Sequence, residues 1–340
     1  MDPYRELAAT VDSLTAGAKG LLAADESGAT IAKRFETIGL ESTEASRRDW
    51  RSLLLATPGL GEFVSGVILY EETLGQRDAA GTPLAQLAAR NGIVPGIKVD
   101  AGKIALAHAP GDEITEGLDG LAKRLATYRG QGARFAKWRA VYNIGPQLPS
   151  RAALLANAEA LARYAAICQE HGVVPIVEPE VLMDGAHGIA RCAEVSEAAW
   201  DAVFAALRRH RVALELMLLK PSMVVPGKAH GAPAAPDDVA RATLAVLRRS
   251  VPAAVAGIVF LSGGQTPAEA SANLSALNRH GPQPWPLSFS YGRALQEPVL
   301  DAWRGQAENV ERAQAVLLRR ARLNSAAREG RYDAAMEAAD

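Results

Sequence analysis

The hydrophobic and polar positions of the chain alternate between short apolar runs and longer amphipathic segments. The apolar runs are rich in Val, Ile and Leu, which is typical of strands buried on both faces of a parallel sheet. The predicted strands span residues 19–25, 64–70, 93–99, 133–139, 173–180, 212–220, 255–262 and 286–291. The clearest predicted helices span residues 42–56, 118–128, 150–171 and 196–210; a further helix begins at Asp237 or Asp238 and runs to about Ser250, and another begins at Pro267.

Eight strands that alternate with helices predict an α/β protein, a single (β/α)₈ barrel of the TIM type. An apolar stripe over residues 4–14 and helical sequence after residue 293 add N- and C-terminal helices. The alternative is a doubly wound open sheet, but the turn after its first strand would be Gly-rich, and Asp25-Glu26-Ser27-Gly28 is not. We expect one domain over residues 1–340, with a flexible tail from about residue 330.

The run at 212–221 ends on Lys220 and Pro221, and the proline favours an extended residue before it. Taken alone, this segment favours a lysine that reaches from the strand end into water. The other interpretation is a desolvated amine, bordered by Leu214, Leu216 and Leu218, that loses its proton more easily and attacks carbonyls. The polar residues at the ends of the other runs favour the second interpretation.

In a barrel the carboxyl ends of the strands meet at one rim, where active sites lie. Charged and polar residues end most of the predicted strands, and period-two alternation places Lys137 with Arg139, and Glu178 with Glu180, on shared faces. The predicted rim residues are Asp25, Lys98, Lys137, Arg139, Glu178, Glu180, Lys220, Ser262 and Arg293. Any one of them could be a structural ion pair, but together they indicate a site for a phosphorylated carbonyl compound.

The roles follow from imine chemistry. The amine of Lys220 attacks a ketone, and the protonated imine then serves as an electron sink for cleavage of a neighbouring C–C bond without a metal. Glu178 is the predicted acid for loss of water, and Asp25 is the predicted base on the adjacent hydroxyl. Lys137 is expected to keep that carboxylate ionised.

Two groups of residues are predicted to bind phosphate. The loops after strands seven and eight, Ser262-Gly263-Gly264 and Ser290-Tyr291-Gly292-Arg293, offer backbone N–H groups, a helix N-terminus and a guanidinium. A second cationic cluster combines Lys98 and Arg139 with Ser27 and with Lys33 or Arg34, which together suggests a bisphosphorylated ketose. Simpler interpretations are a serine-capped turn at 262–265, a solvated helix face at 33–34, and packing roles for Tyr291 and Trp138.

Composition excludes several other classes. The formal net charge of -1 points to no nucleic acid or membrane partner. Cys168 and Cys192 form no disulfide framework, and the six histidines lack metal-site spacing, so we expect no metal and no cofactor. The lack of a disulfide framework favours a reducing cytoplasm, and we also expect no signal peptide and no membrane span.

Seven motifs resemble class I fructose-bisphosphate aldolase of the animal and plant type. They are LLAADES (21–27), GIKVD (96–100), FAKWR (135–139), VPIVEPE (174–180), LLKPSMV (218–224), FLSGGQ (260–265) and SFSYGRALQ (288–296). The resemblance covers residues from about 4 to about 332. It implies a glycolytic and gluconeogenic lyase that reversibly cleaves fructose 1,6-bisphosphate to dihydroxyacetone phosphate and glyceraldehyde 3-phosphate.

The resemblance also implies residue roles. Lys220 would carry the Schiff base, with Glu178, Asp25 and Lys137 as its catalytic partners. The C1 phosphate would be held by Ser262, Gly263, Gly292 and Arg293. The C6 phosphate would be held by Ser27, Thr30 and Lys98, and Glu180, Lys33, Arg34 and Arg139 also match site-lining positions. The family is commonly a homotetramer.

Three departures from the family pattern stand out. The last tyrosine is Tyr332, whereas animal members end in a terminal tyrosine that assists proton exchange, so this exchange is expected to be slower or to use another group. Ser222 replaces an asparagine, and Leu216-Met217 replace a Gly-Thr pair, which could alter packing around Lys220. The alternatives are a Schiff-base aldolase or transaldolase for a monophosphorylated sugar, and a non-catalytic scaffold with the same fold.

Overall fold

Eight parallel strands close into a barrel in the computed structural model, which describes residues 3–338. The (β/α)₈ prediction is therefore confirmed. The order around the barrel is β1-β10-β9-β8-β7-β6-β3-β2, and β4 and β5 form a separate two-stranded hairpin. The strands are β1 (Gly20–Ala24), β2 (Val64–Leu69), β3 (Val94–Lys98), β4 (Gly102–Ala105), β5 (Glu113–Glu116), β6 (Phe135–Tyr142), β7 (Val174–Val181), β8 (Leu218–Leu219), β9 (Gly257–Phe260) and β10 (Leu287–Tyr291).

Helices surround the barrel and begin at recognisable caps. Thr43 and Thr266 form capping boxes with Ser46 and Glu269, and Ser150 caps the long helix that follows it. The helices are α1 (Pro3–Thr15), α2 (Gly28–Glu36), α3 (Glu44–Leu55), α4 (Glu71–Gly75), α5 (Leu84–Arg90), α6 (Leu121–Gly130), α7 (Arg151–Glu170), α8 (Ile189–Arg209), α9 (Pro236–Ser250), α10 (Pro267–Arg279), α11 (Arg293–Trp303) and α12 (Val310–Arg328).

Alternation along the strands separates two hydrophobic layers. Leu21 and Phe135 point into the barrel, where they pack with α1, which brings Leu7, Val11 and Leu14 to the same interior cluster. Their neighbours Leu22 and Ala136 belong to the outer layer, between strands and helices. The strands are therefore apolar on both faces, as their sequences predicted.

Close packing inside the barrel depends on a glycine of β3. A Cβ added to Gly96 would lie 2.3 Å from the ring of Phe135, so the aromatic ring fills the space that a side chain would need. Helix α1 and the Phe135 ring close the end of the barrel at which the strands begin. The opposite end remains open for polar side chains.

The sixth barrel strand is shorter than predicted. Residues Leu214–Leu216 form a 3₁₀ turn, and only Leu218–Leu219 pair in the sheet. The reason is local, because the Gln169 side chain donates to the carbonyls of Ala213 (2.8 Å) and Leu216 (3.1 Å) and accepts from the Ala213 N–H. These bonds take the place of hydrogen bonds to a neighbouring strand. The prediction that Leu214, Leu216 and Leu218 form one strand face beside Lys220 was therefore wrong.

Two other predictions need correction. The stretch between β3 and α6, for which the sequence predicted no strand, contains the β4–β5 hairpin, which is joined to β6 by a 2.8 Å bond from Thr115 Oγ1 to the Arg139 carbonyl. Helix α8 begins at Ile189 rather than at Ser196.

The segment after α12 lies against α10 and α12. Tyr332 is buried, and its hydroxyl donates to Glu337 Oε1 at 2.8 Å, while Arg320 pairs with the same carboxylate at 2.6 Å. Flexibility of this segment in solution remains a prediction, and its last two residues lie outside the described range. Within residues 3–338, no helix is long and apolar enough to cross a membrane.

Candidate active site

The inward-facing positions of the strands change from apolar to charged as the strands approach the open end. On β7, Val174 and Ile176 belong to the interior cluster, and Glu178 is the next inward residue. The same succession leads from Phe135 to Lys137 on β6 and from Leu218 to Lys220 after β8. The apolar layers thus form the floor beneath a layer of charged groups, which alternation alone would predict.

These charged groups form a continuous chain of contacts. Lys137 Nζ lies 2.7 Å from Asp25 Oδ2 and 3.2 Å from Glu178 Oε2. The other oxygen of Glu178 lies 3.1 Å from Lys220 Nζ. Glu178 therefore bridges the two lysines, and Lys137 bridges the two carboxylates.

Electrostatics keep the cluster charged. Burial opposes ionisation of Asp25, but the positive charges of Lys137 and Lys220 outweigh it and hold the carboxyl pKa well below its ordinary value. Burial also disfavours the charge on Lys137, but Asp25 and Glu178 raise the pKa of its ammonium group far above the usual range. For Glu178, Lys137 and Lys220 overcome burial and lower the carboxyl pKa.

Lys220 is the last member of this chain of contacts, next to Glu178. It is only 3% exposed, and its backbone N–H donates to the Val177 carbonyl at 2.8 Å, which continues the strand pairing by one residue. The simpler interpretation of the segment required the side chain to reach bulk water, and in the structure it does not. Its amine faces Glu178 and the cavity above the strands.

This cavity, the central cavity, has a volume of about 630 Å³. It collects most of the residues that the sequence proposed for catalysis or phosphate binding. Those that line it are Asp25, Ser27, Thr30, Lys33, Arg34, Lys98, Lys137, Arg139, Glu178, Glu180, Lys220, Ser262, Gly263, Ser290, Gly292 and Arg293.

Two proposed residues do not line the central cavity. Tyr291 is fully buried on the outer face of β10, where its hydroxyl donates to the Ala270 carbonyl at 2.9 Å, which agrees with the packing alternative. Gly264 lies beside the cavity, and its N–H points to Met183 Sδ at 3.0 Å. Neither group is aimed at the space above Lys220.

One end of the central cavity combines the loops after β9 and β10. The guanidinium of Arg293 donates to the Gly263 carbonyl, which joins these loops. Ser262 is buried beside them, and the Ser290 hydroxyl is buried with no hydrogen-bond partner among residues 3–338. Glycine backbone, two hydroxyls and a guanidinium form a suitable anion site.

The other end lies at the start of α2. Ser27 caps this helix by accepting from the Thr30 N–H, and Lys33 and Arg34 follow within the helix. Lys98 lies across the cavity, 3.3 Å from Asp100 Oδ1 and with its ammonium 5.7 Å from the Tyr70 ring centroid. Arg139 pairs with Glu180 nearby.

Sequence reasoning missed several residues that support the site. Asp100 follows β3 and contacts both Lys98 and Lys137, the latter at 3.8 Å, and it could have been found by the strand-end rule. Glu26 is buried between Arg34 and Arg51. The sequence did offer a signal for Arg51, because it is an arginine among the buried apolar residues of α3. Its partner, Glu26, could not be identified from the sequence.

Two of the three family departures, at Leu216-Met217 and at Ser222, have defined positions in the structure. Leu216 packs against the interior cluster and Met217 lies in the outer layer. The Ser222 hydroxyl donates to the Val181 carbonyl at 2.8 Å. Within residues 3–338, no group of three or more His, Cys, Asp or Glu side chains is arranged to hold a metal ion.

Comparison with known proteins agrees with this geometry. A family model described as fructose-bisphosphate aldolase class-I matches residues 6–340. The chain is 51% identical over 328 residues to a probable fructose-bisphosphate aldolase class 1 of Xylella fastidiosa (strain Temecula1 / ATCC 700964), covering 96% of this chain and 98% of that protein. It is 52% identical over 336 residues to the cytoplasmic isozyme of Spinacia oleracea, covering 98% and 94%.

A solved structure shares the fold. It is fructose-bisphosphate aldolase from Plasmodium falciparum in complex with TRAP and a small-molecule inhibitor, and it superposes with a TM-score of 0.96 at 50% identity. The match covers 98% of this chain and 96% of that chain. The family model covers nearly the whole chain, as do relatives about 50% identical to it, and the chain therefore belongs to the class I fructose-bisphosphate aldolase family.

Proposed function

We propose that this aldolase cleaves fructose 1,6-bisphosphate through an imine on Lys220. The observation that carries the proposal is the buried amine, 3.1 Å from Glu178, at the floor of a cavity with an anion site at each end. The amine attacks the C2 ketone to give a carbinolamine, and loss of water gives the protonated imine. This positive nitrogen then accepts the electron pair of the breaking C3–C4 bond.

Glu178 moves the protons of imine formation. Because its pKa is lowered by the neighbouring lysines, it is a carboxylate in the free enzyme and first acts as a base that takes a proton from Lys220. The same proton is then delivered to the leaving hydroxyl of the carbinolamine. Its position between Lys137 and Lys220 supports both steps.

Asp25 is the proposed base for C–C cleavage. It takes the proton of the C4 hydroxyl, so that glyceraldehyde 3-phosphate leaves and an enamine of dihydroxyacetone phosphate remains on Lys220. The 2.7 Å contact with Lys137 keeps Asp25 ionised for this step. Protonation of the enamine and hydrolysis of the imine release the second product.

The two anion sites are proposed to bind the two phosphates. Ser262, Gly263, Gly292 and Arg293, with Ser290 beside them, form the end for the C1 phosphate. Ser27, Thr30 and Lys98 form the end for the C6 phosphate, with Lys33, Arg34 and Arg139 near them. Glu180 holds Arg139 in place.

Trapping of the imine tests the mechanism. Borohydride reduction with dihydroxyacetone phosphate, followed by peptide mapping, should give an adduct on Lys220, and turnover should be unaffected by EDTA. Lys220→Ala should abolish both the adduct and turnover. An adduct on another lysine, or loss of turnover with the chelator, would contradict the proposal.

The finer properties of the protein are also proposals. Metal independence follows from the imine mechanism. A cytoplasmic location is supported by the cytoplasmic spinach isozyme, although a Chlamydomonas reinhardtii relative that is 52% identical is chloroplastic. A homotetramer rests on the family resemblance, and a single domain rests on the two hydrophobic layers that share the barrel strands.

A further inference from the structure

A smaller cavity of about 100 Å³, here the side cavity, opens beside the loop after β9. It shares Ser262, Gly263 and Arg293 with the central cavity and adds Met183, Asp184 and Lys228. The two cavities therefore lie against the same anion-binding loop. Lys228 is a cation of this wall to which the proposed mechanism gives no role.

The main chain fixes the position of Lys228. Three hydrogen bonds join the loop after β8 to the loop after β7: the N–H groups of Gly227, Lys228 and Ala229 donate to the carbonyls of His187 (2.8 Å), Met183 (2.8 Å) and Gly185 (2.9 Å). The lysine is thus presented by a paired segment rather than by a free loop. Its side chain is still 47% exposed, so the ammonium group can adjust.

The Lys228 side chain passes directly over Gly264. A Cβ added to this glycine would lie 2.2 Å from Lys228 Cε and 2.6 Å from Nζ, so only a glycine allows the lysine to approach the loop this closely. On the other side of the loop, Arg293 donates to the Gly263 carbonyl. Two cations therefore flank the loop 262–264.

The charge of Lys228 is weakly compensated. Its nearest carboxylate is Asp184, with Nζ and Oδ1 3.5 Å apart and the Asp184 side chain 70% exposed. The other carboxylate of the side cavity, Glu180, is paired with Arg139. An ammonium group with one loose, solvated partner can turn to an anion on the neighbouring loop at little cost.

We propose that Lys228 is a further binding residue for the substrate phosphate at the loop 262–264, opposite Arg293. The inference rests on the proposed function, which places the C1 phosphate at this loop. Lys228 then favours substrates that carry a phosphate at this end, which are fructose 1,6-bisphosphate and dihydroxyacetone phosphate. Among residues 3–338, Lys228 lies beside Asp184 and the loop 262–264 and contacts none of Ser27, Thr30 and Lys98 at the other end.

The condensation direction separates the two ends, because each phosphate arrives on its own substrate. We expect Lys228→Gln to raise KM for dihydroxyacetone phosphate about fivefold, the size expected for a half-exposed charge pair, with kcat and KM for glyceraldehyde 3-phosphate unchanged. The increase should shrink at high salt. Lys228→Arg should restore the wild-type KM, and Asp184→Asn should lower it.

Two further variants make the result decisive. Lys123→Gln removes an equally positive side chain from the exposed face of α6 and should change neither KM. Arg293→Ala should raise KM for dihydroxyacetone phosphate strongly. If it does and Lys228→Gln does not, or if Lys228→Gln raises both KM values equally, the inference is wrong and the proposed function stands. If neither variant changes this KM, the proposed phosphate site fails as well.

Discussion

At the scale of single residues, Lys137 determines the charge state of the site. It contacts Asp25, Glu178 and Asp100, and it is almost fully buried. The depressed pKa of Asp25 means that its ionised form stabilises the fold above the ordinary carboxyl pKa, and that this contribution is lost as pH falls through the depressed value. The pKa of Lys137 is raised, so the stability that its charged ammonium group contributes is lost only when pH rises through that raised pKa. Between these limits the charges of this pair are constant.

The pH dependence of turnover tests this balance. Lys137→Gln removes the charge that opposes the effect of burial on Asp25, so the carboxyl pKa should rise and the acid limb of kcat should move to higher pH by about one unit or more. The kcat at neutral pH should also fall, by a factor on the order of a hundred. Lys137→Arg keeps the charge, and its acid limb should stay where the wild-type limb is. An unshifted limb in Lys137→Gln would show that Asp25 does not depend on this lysine.

Glu178 gives a second test at this scale. Glu178→Gln keeps the shape of the side chain but cannot carry a proton between Lys220 and the carbinolamine, so turnover should slow by a factor on the order of a hundred or more. Rapid-quench borohydride trapping with dihydroxyacetone phosphate should show the same slowing in imine formation. If trapping keeps its wild-type rate while turnover falls, Glu178 acts after the imine has formed.

The strand-end rule and period-two alternation account for what the sequence could predict at this scale. They place Asp25, Lys137, Glu178 and Lys220 on inward positions because every second residue of a strand faces the same side. The same rule argues against Tyr291, which follows the inward Ser290 and therefore faces outward. The contact of Arg51 with Glu26 could not be predicted, because Arg51 reaches the site from a helix, and helix–strand distances are not encoded in strand periodicity.

At the scale of elements, the loop after β1 is held by two helices. Arg51 of α3 donates to the Ala24 carbonyl at 2.8 Å and lies 2.7 Å from Glu26 Oε2. Gln296 of α11 donates to the Ala23 carbonyl at 2.6 Å and to Glu26 Oε1 at 2.8 Å. Glu26 stands between Asp25 and Ser27, so this network fixes a catalytic carboxylate and a helix cap together.

Removal of one donor should affect both stability and substrate binding. Gln296→Leu leaves the Ala23 carbonyl and one Glu26 oxygen without this donor, which should lower the free energy of unfolding by about 1–3 kcal/mol. The looser loop should raise KM for fructose 1,6-bisphosphate more than it changes kcat. Urea unfolding and steady-state kinetics measure the two effects. Gln131→Leu, at the exposed end of α6, is the matched control, and equal effects in both variants would contradict a role for the network.

Two of the wrongly predicted elements, the sixth barrel strand and the β4–β5 hairpin, share one physical cause. The 3₁₀ turn at Leu214–Leu216 exists because the Gln169 side chain binds its backbone, and the β4–β5 hairpin is positioned by a bond from Thr115 to β6. Both are tertiary contacts between residues far apart in the sequence. Apolar periodicity predicts which runs enter the sheet, whereas such contacts decide where pairing begins.

At the scale of the whole molecule, the barrel has an apolar end and a charged end. Helix α1 closes the first, and the central cavity occupies the second. In such barrels the end where strands begin contributes stability, whereas the opposite end carries the chemistry. Substitutions at the closed end should therefore change unfolding without changing the active site.

Leu14 is the residue of α1 that tests this separation. It is 1% exposed, packs in the interior cluster, and fits against Gly66, where an added Cβ would lie 2.6 Å from its Cδ2. Leu14→Ala should lower the free energy of unfolding by about 2–5 kcal/mol because it leaves a cavity, while kcat and KM at low temperature stay at wild-type values. Leu155→Ala on α7, where the leucine is 48% exposed, should change neither quantity. A loss of kcat in folded Leu14→Ala, measured beside its urea unfolding curve, would mean that the two ends of the barrel are coupled.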